Sequence, residues 1–254
     1  MGDTMDRQLD IQASNVQAGV KPEGAPLCGS ADSGKVQLAV FDFDGTCIEG
    51  NSPVLLVKHL ALSHMLAKRV TARIALWGVR YKLRLPQDES WVRGMVFSAF
   101  EGKPVGKADA FLAKFYDDVV APRWRGAAIR EMQRNVDEGR TVIVVSASFE
   151  PIILRAMQDK PFQYQISTKM KANPDGTYTR EVDGLPVEGD EKLAAVTRFA
   201  DAKYGEGNWE LAHAYGDHHS DRTILRAARV PHAVDPDRPL LRTARREGWD
   251  VLDW

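Results

Sequence analysis

The chain has 254 residues, 44% of them apolar, enough to bury a substantial core as one domain with an insertion or as two small domains. Its 34 basic side chains offset 35 acidic ones, so no global field points to nucleic acid or an acidic partner. No run approaches a membrane span, which argues against stable insertion in a bilayer, and two cysteines, Cys28 and Cys47, without metal-ligand spacing fit a reducing, cytoplasmic setting.

Residues 1–34 are rich in Gly, Ser, Ala and Asp without sustained periodicity and read as a disordered leader. KVQLAVFDF, residues 35–43, is β-branched and aromatic and reads as the central strand, ended by Asp-Gly-Thr. Asn51 and Ser52 can cap a helix opening at Pro53, and residues 53–85 then carry apolar positions at helical spacing, with a break expected at Gly78. ESWVRGMVFSAF and KADAFLAKFYDDVVA continue the helical pattern, so 51–121 reads as an all-helical insertion between a core of 35–50 and 122–254.

PRWRGAAIREMQRNVDEGR predicts a helix ended near Gly139, and TVIVVS a strand buried on both faces. Pro151 opens the next helix, QYQISTK predicts a strand, and TYTREVDGLPV predicts a hairpin turning at Asp183-Gly184. EKLAAVTRFADAKYG reads as a helix. From ELAHAYGD onward the order is strand, helix, strand, helix, strand, which predicts an α/β, Rossmann-like three-layer core with a mostly parallel sheet.

In such a sheet, ligands bind beyond the carboxyl ends of the strands. Asp42 and Asp44 follow the first strand, Ser146 follows TVIVV, and Asp217 with Asp221 follows LAHAYG. Four acids on one rim repel one another unless a cation joins them. All-oxygen ligands suit Mg²⁺, which commonly shares its shell with a phosphate, so a phosphorylated small molecule is the expected substrate. Asp42 and Asp44 point to the same side of the strand. One carboxylate can attack phosphorus while the other handles the leaving-group proton.

VFDFDGT, VSASFEP, GDEK and YGDHHSD resemble, in order and spacing, the four signatures of the haloacid dehalogenase-like (HAD) hydrolases. The long helical insertion after the first of them resembles the C1 cap of the phosphoserine-phosphatase-like branch. The resemblance implies a phosphatase in which Asp42 is the nucleophile and a Mg²⁺ ligand. It makes Asp44 the general acid/base, with its main-chain carbonyl on the metal. Gly45, Thr46, Ser146 and Ala147 would cradle the phosphoryl group, Lys192 would neutralise it, Asp217 would bind the metal, and Asp221 would support the metal shell.

Departures from that pattern bear on the substrate. Phosphoserine-cleaving relatives carry an acid where Asn51 stands, usually an Asn where Ser220 stands, and SGGF where this chain has SASF. His218 and His219 sit inside GDHHSD with no role implied. Lys58, Lys68, Arg69, Arg73, Arg80, Lys82 and Arg84 leave 54–84 without an acid, either a solvated helix face or a surface for an anionic lipid head group. A phosphotransferase, a lipid-head-group phosphatase and a silent phosphate or metal binder are the rival readings. A phospho-accepting receiver domain is disfavoured by the motif order and the large insertion. Oligomeric state is not encoded in any motif.

Overall fold

The computed structural model describes residues 34–63 and 89–254. The expected leader apart from Gly34, the break at Gly78, and six basic residues (Lys68, Arg69, Arg73, Arg80, Lys82 and Arg84) lie outside the described residues.

Strand β1 (Val36–Phe41) lies at the centre of a six-stranded, all-parallel sheet. Its neighbours are β2 (Thr141–Phe149) and β6 (Trp209–Gly216), with β3 (Tyr164–Thr168) beyond β2 and β7 (Val230–Val234) and β8 (Asp250–Leu252) beyond β6. Alternation along β1 separates two cores. Leu38 and Val40 pack with Ile143, Val145, Val196, Phe199 and Leu225 on one face, while Ala39 and Phe41 pack with Val142, Val144 and Tyr215 on the other. The Phe41 and Tyr215 rings stack at 4.0 Å between centroids. This is the Rossmann-like α/β core that the strand and helix order predicts.

Helix α1 (Ser52–Leu62) begins where expected, with the Asn51 side chain accepting from Val54 N at 3.1 Å and Pro53 in the first turn. Helices α2 (Glu89–Phe100) and α3 (Val105–Phe115) follow, and the chain then makes a π-helical turn over Tyr116–Val120 and a short 3₁₀ turn over Ala121–Arg123. Helix α4 (Gly126–Asp137) starts later than the periodicity predicts. Residues before it are held extended: Trp124 bridges Ile48, and Glu49 N and Arg125 N bond Arg123 O and Cys47 O, each at 2.9 Å. These bonds close the two ends of the helical segment onto each other.

Strand β2 runs on through Phe149 rather than stopping at Ser146, with a register irregularity against β3 between those residues. Helix α5 (Glu150–Met157) then has Pro151 in its first turn. The hairpin differs from expectation. It pairs β4 (Met170–Ala172) with β5 (Tyr178–Val182), and its turn is at Asp175-Gly176, not at Asp183-Gly184. Thr177 donates its N–H and hydroxyl to Asp175 Oδ1 at 2.9 and 2.6 Å, and Gly176 takes the left-handed conformation (φ 79°). Asn-Pro-Asp-Gly is thus the stronger turn signal, and Asp183-Gly184 follows the hairpin.

The hairpin docks on the helical segment through backbone bonds from Gly102 N to Tyr178 O and from Tyr178 N to Lys103 O, and Tyr178 donates its hydroxyl to Asp109 at 2.6 Å. Helices α6 (Asp190–Tyr204), α7 (Arg222–Ala227) and α8 (Arg238–Glu247) complete the layers. No described helix is long and apolar enough to cross a membrane.

Candidate active site

Because β1 lies between β2 and β6, their carboxyl ends bring the predicted residues to one place. Asp42 leaves β1 with its N–H donating to Tyr215 O at 2.9 Å, which ties its backbone to β6. Asp217 and Asp221 follow β6, and carboxylate oxygens of Asp42, Asp217 and Asp221 all lie within 4.8 Å of one another. Lys192, from the first turn of α6, is buried among them with Nζ 2.7 Å from Asp42 Oδ1 and 2.7 Å from Asp221 Oδ1. Lys169 and Lys171, which the sequence also offers as candidates for this charge, pair with Glu150 and Glu181 instead.

The close approach of the first and last motifs depends on glycine. At Gly45 (φ 79°) a Cβ would lie 2.1 Å from Asp217 Oδ2, so no side chain fits there. Thr46 is fully buried and donates its hydroxyl to Asp217 Oδ1 at 3.4 Å. Cys47 is also buried, its thiol donating to the Asp42 carbonyl at 2.9 Å, and burial pushes that thiol up beyond its usual range. It is not placed to act as a nucleophile.

Burial governs the charges. It pushes the Asp42 carboxyl up to about 6, Lys192 opposing and Asp221 adding to the shift. Asp217 is driven up to about 9 by burial and then by repulsion from Asp42 and Asp221. For Lys192, burial favours the neutral amine, but the Asp221 and Asp42 carboxylates together outweigh it and hold the ammonium above the usual lysine range. One cation among three acids leaves excess negative charge.

Asp44 is directed differently. It accepts from the Ser52 N–H, and the Ser52 hydroxyl lies 3.1 Å from its Oδ2 and 2.7 Å from the Ser148 hydroxyl. Burial raises Asp44 to about 7, with the Ser52 N–H bond opposing. Ser146 Oγ accepts from Ser148 N at 3.0 Å. Asp42, Asp44, Gly45, Ser146, Ala147, Lys192 and Asp217 all line one cavity of about 550 Å³.

Several cavity residues escape a reading of the sequence. Arg93, on α2, forms an ion pair with Glu188 across the cavity from helical segment to core. Arg125 pairs with Asp235 at 3.3 Å, and Asp235 takes a left-handed φ of 40°, unusual for a non-glycine residue. Ser52 was legible as part of a helix start but not as the support for Asp44. The signal for Arg93 and Glu188 is three-dimensional only, since 95 residues separate them.

The cluster fits a metal ion on its own chemistry. Its donors are hard carboxylate oxygens, and the raised carboxyls mark a negative charge that Lys192 alone does not balance. A parallel sheet whose strand ends carry such a cluster defines a Rossmann-like α/β protein with a cation-seeking site on its rim.

The haloacid dehalogenase-like hydrolase model matches residues 39–226, and the chain belongs to that family, in its phosphoserine-phosphatase-like branch. Phosphoserine phosphatase SerB1 of Mycobacterium tuberculosis (strain ATCC 25618 / H37Rv) is 26% identical over 222 residues, spanning 85% of this chain and 70% of that protein. Histidinol-phosphatase of Neisseria meningitidis serogroup C (strain 8013) is 25% identical over 225 residues, 85% of this chain and 98% of that one. A protein of unknown function from Bordetella pertussis Tohama I has the same fold, with a TM-score of 0.75 at 21% identity, covering 86% of this chain and 99% of its own.

Proposed function

We propose that this HAD-type phosphatase hydrolyses the phosphomonoester of a small molecule through an aspartyl-phosphate on Asp42, with Mg²⁺ as its cofactor. The observation that carries the reading is the Lys192 ammonium 2.7 Å from Asp42, in the same cavity as Asp44 and Asp217. Asp42, Asp217 and the Asp44 carbonyl would hold the ion, with Asp221, anchored on Lys192, supporting them. Bound Mg²⁺ supplies positive charge to the phosphoryl oxygens.

Asp42 attacks phosphorus as the ester P–O bond breaks, and the electron pair leaves with the alkoxide. Asp44, raised to about 7, holds a proton to give that oxygen. A water then attacks the phosphoenzyme, passing its proton to Asp44 and freeing Asp42 and inorganic phosphate. Lys192 balances charge on the nucleophile and the transferring group, and Ser146 with the backbone around Gly45, Thr46 and Ala147 receives the phosphoryl oxygens.

Residues 51–121 act in this reading as the cap over a core of 35–50 and 122–254. The Ile48–Trp124 bridge at the ends of the segment supports that division. Asn51, Val54 and Arg93 from the cap side, with Arg125, Phe149 and Glu188 from the core side, would then surround the leaving group. Both charge signs at the rim favour a small polar leaving group, and the sparse cysteines favour a cytoplasmic setting.

The test is turnover of a panel of phosphomonoesters, phosphoserine and histidinol phosphate among them, with and without Mg²⁺. Asp42→Asn is expected to be inactive. Asp44→Asn, given an aryl phosphate whose leaving group needs no proton, is expected to accumulate phosphoenzyme. Retained turnover in Asp42→Asn, or turnover unaffected by chelation, would overturn the reading.

A further inference from the structure

Beside the acid cluster stands a second group of donors that the proposed chemistry does not use. His218 Nε2, His219 Nδ1 and Asp237 Oδ2 form a triangle, with the two nitrogens 3.3 Å apart and each 3.4 Å from the carboxylate oxygen. We propose that His218, His219 and Asp237 form a second metal site, which takes a borderline transition ion, Zn²⁺ foremost, rather than Mg²⁺.

The edge length carries the argument. Ligands about 2.0–2.1 Å from a tetrahedral ion stand about 3.3–3.4 Å apart, whereas octahedral Mg²⁺ at a similar radius brings them to about 3.0 Å. The three edges here match one tetrahedral face. As hydrogen bonds they are poor, being longer than the about 2.9–3.0 Å typical of N–H···O. Two imidazoles and one carboxylate also favour Zn²⁺ over Mg²⁺ by donor type.

Two of the three donors are already oriented by a neighbour. Asp237 caps α8, its Oδ1 accepting from Leu240 N at 2.7 Å, so Oδ2 is the oxygen turned to the histidines. His218 Nδ1 lies 3.0 Å from the Ser220 hydroxyl and 3.4 Å from Ser220 N, whose N–H it accepts in the cap of the following 3₁₀ turn; an ion on Nε2 requires that weak bond to be exchanged, Nδ1 keeping the proton and donating it to the hydroxyl. Asp237 N donates to Asp217 O at 2.8 Å, which fixes the triangle against the loop of the acid cluster. The fourth position would fall to water or another exogenous ligand.

The experiment is a Co²⁺ titration of the full-length protein in saturating Mg²⁺, read by the visible absorption of tetrahedral Co²⁺. About one equivalent is expected to produce the bands, and Zn²⁺ to bleach them. His219→Gln and Asp237→Asn are each expected to weaken Co²⁺ binding at least about tenfold. Asparagine keeps the helix cap, so loss in Asp237→Asn with an unchanged melting temperature reports on the ion rather than on folding. His219 does not line the cavity, and Mg²⁺-supported turnover of His219→Gln is expected to match that of the parent. Absence of tetrahedral bands in the parent protein, or variants that bind Co²⁺ as tightly as the parent does, would overturn the proposal.

Discussion

Lys192 holds two carboxylates at once, its Nζ standing 2.7 Å from Asp42 Oδ1 and 2.7 Å from Asp221 Oδ1 in a setting where all three side chains are largely buried. Removing the cation leaves two buried anions without their partner, a loss of about 3–5 kcal/mol for a broken buried pair. Lys192→Met is therefore expected to melt well below the parent protein in chelator and to recover part of the difference in Mg²⁺. Its turnover is expected to fall about 10²–10³-fold, as when one preorganised charge is taken from a transition state. With Lys192 no longer opposing its shift, Asp42 rises further from about 6, so the acid limb of the pH–rate profile moves to higher pH. A profile that stays in place would separate Lys192 from the nucleophile.

Gly45 makes a second prediction about the same junction. Its backbone is left-handed and a Cβ would meet Asp217 Oδ2 at 2.1 Å, so Gly45→Ala must displace either the loop or the carboxylate. Backbone strain of this kind costs about 1–3 kcal/mol. The expected result is a metal affinity weakened by at least about tenfold, together with a lower denaturation midpoint in chelator. Mg²⁺ titrations of parent and variant that superimpose would show that Asp217 is not held where the loop needs glycine.

The acid rim was legible because a parallel sheet projects the carboxyl end of every strand to one edge, and β2, β1 and β6 are neighbours. Asp42, Ser146 and Asp217 needed only their position after an apolar run to be assigned to that edge. Lys192 needed more, since a lysine in the first turn of a helix is normally solvated, and it was the GDEK resemblance that selected it over Lys169 and Lys171. Arg93, Glu188, Arg125 and Asp235 left no local signal at all. Their ion pairs join residues far apart in the chain, and periodicity reports only on neighbours within a few turns. The hairpin shows a different failure: two Asp-Gly turns compete, and the side-chain bonds from Thr177 to Asp175 that decide between them appear only when the chain is folded. The triangle of His218, His219 and Asp237 divides the same way, with the adjacent histidines visible in the motif and the carboxylate supplied by the next strand–helix loop.

Asp217 ties metal binding to pH with a definite sign. In the metal-free protein its carboxyl is raised from 3.8 to about 9, chiefly by burial and then by Asp42 and Asp221. Between those values the unfolded chain has lost this proton while the folded protein keeps it. The folded state therefore binds more protons, and the contribution of Asp217 to stability falls as pH rises through the window. A metal ion needs the ionised carboxylate and must displace the proton, so its apparent affinity increases with pH until about 9, by up to about tenfold per pH unit. The gain in melting temperature on adding Mg²⁺ is thus expected to be small at pH of about 6 and to grow steadily toward about 9. Calorimetric titrations near neutral pH, in buffers of different ionisation enthalpy, are expected to show net proton release. An Mg²⁺ stabilisation that is flat across this range, with no proton released, would mean that Asp217 is not a ligand.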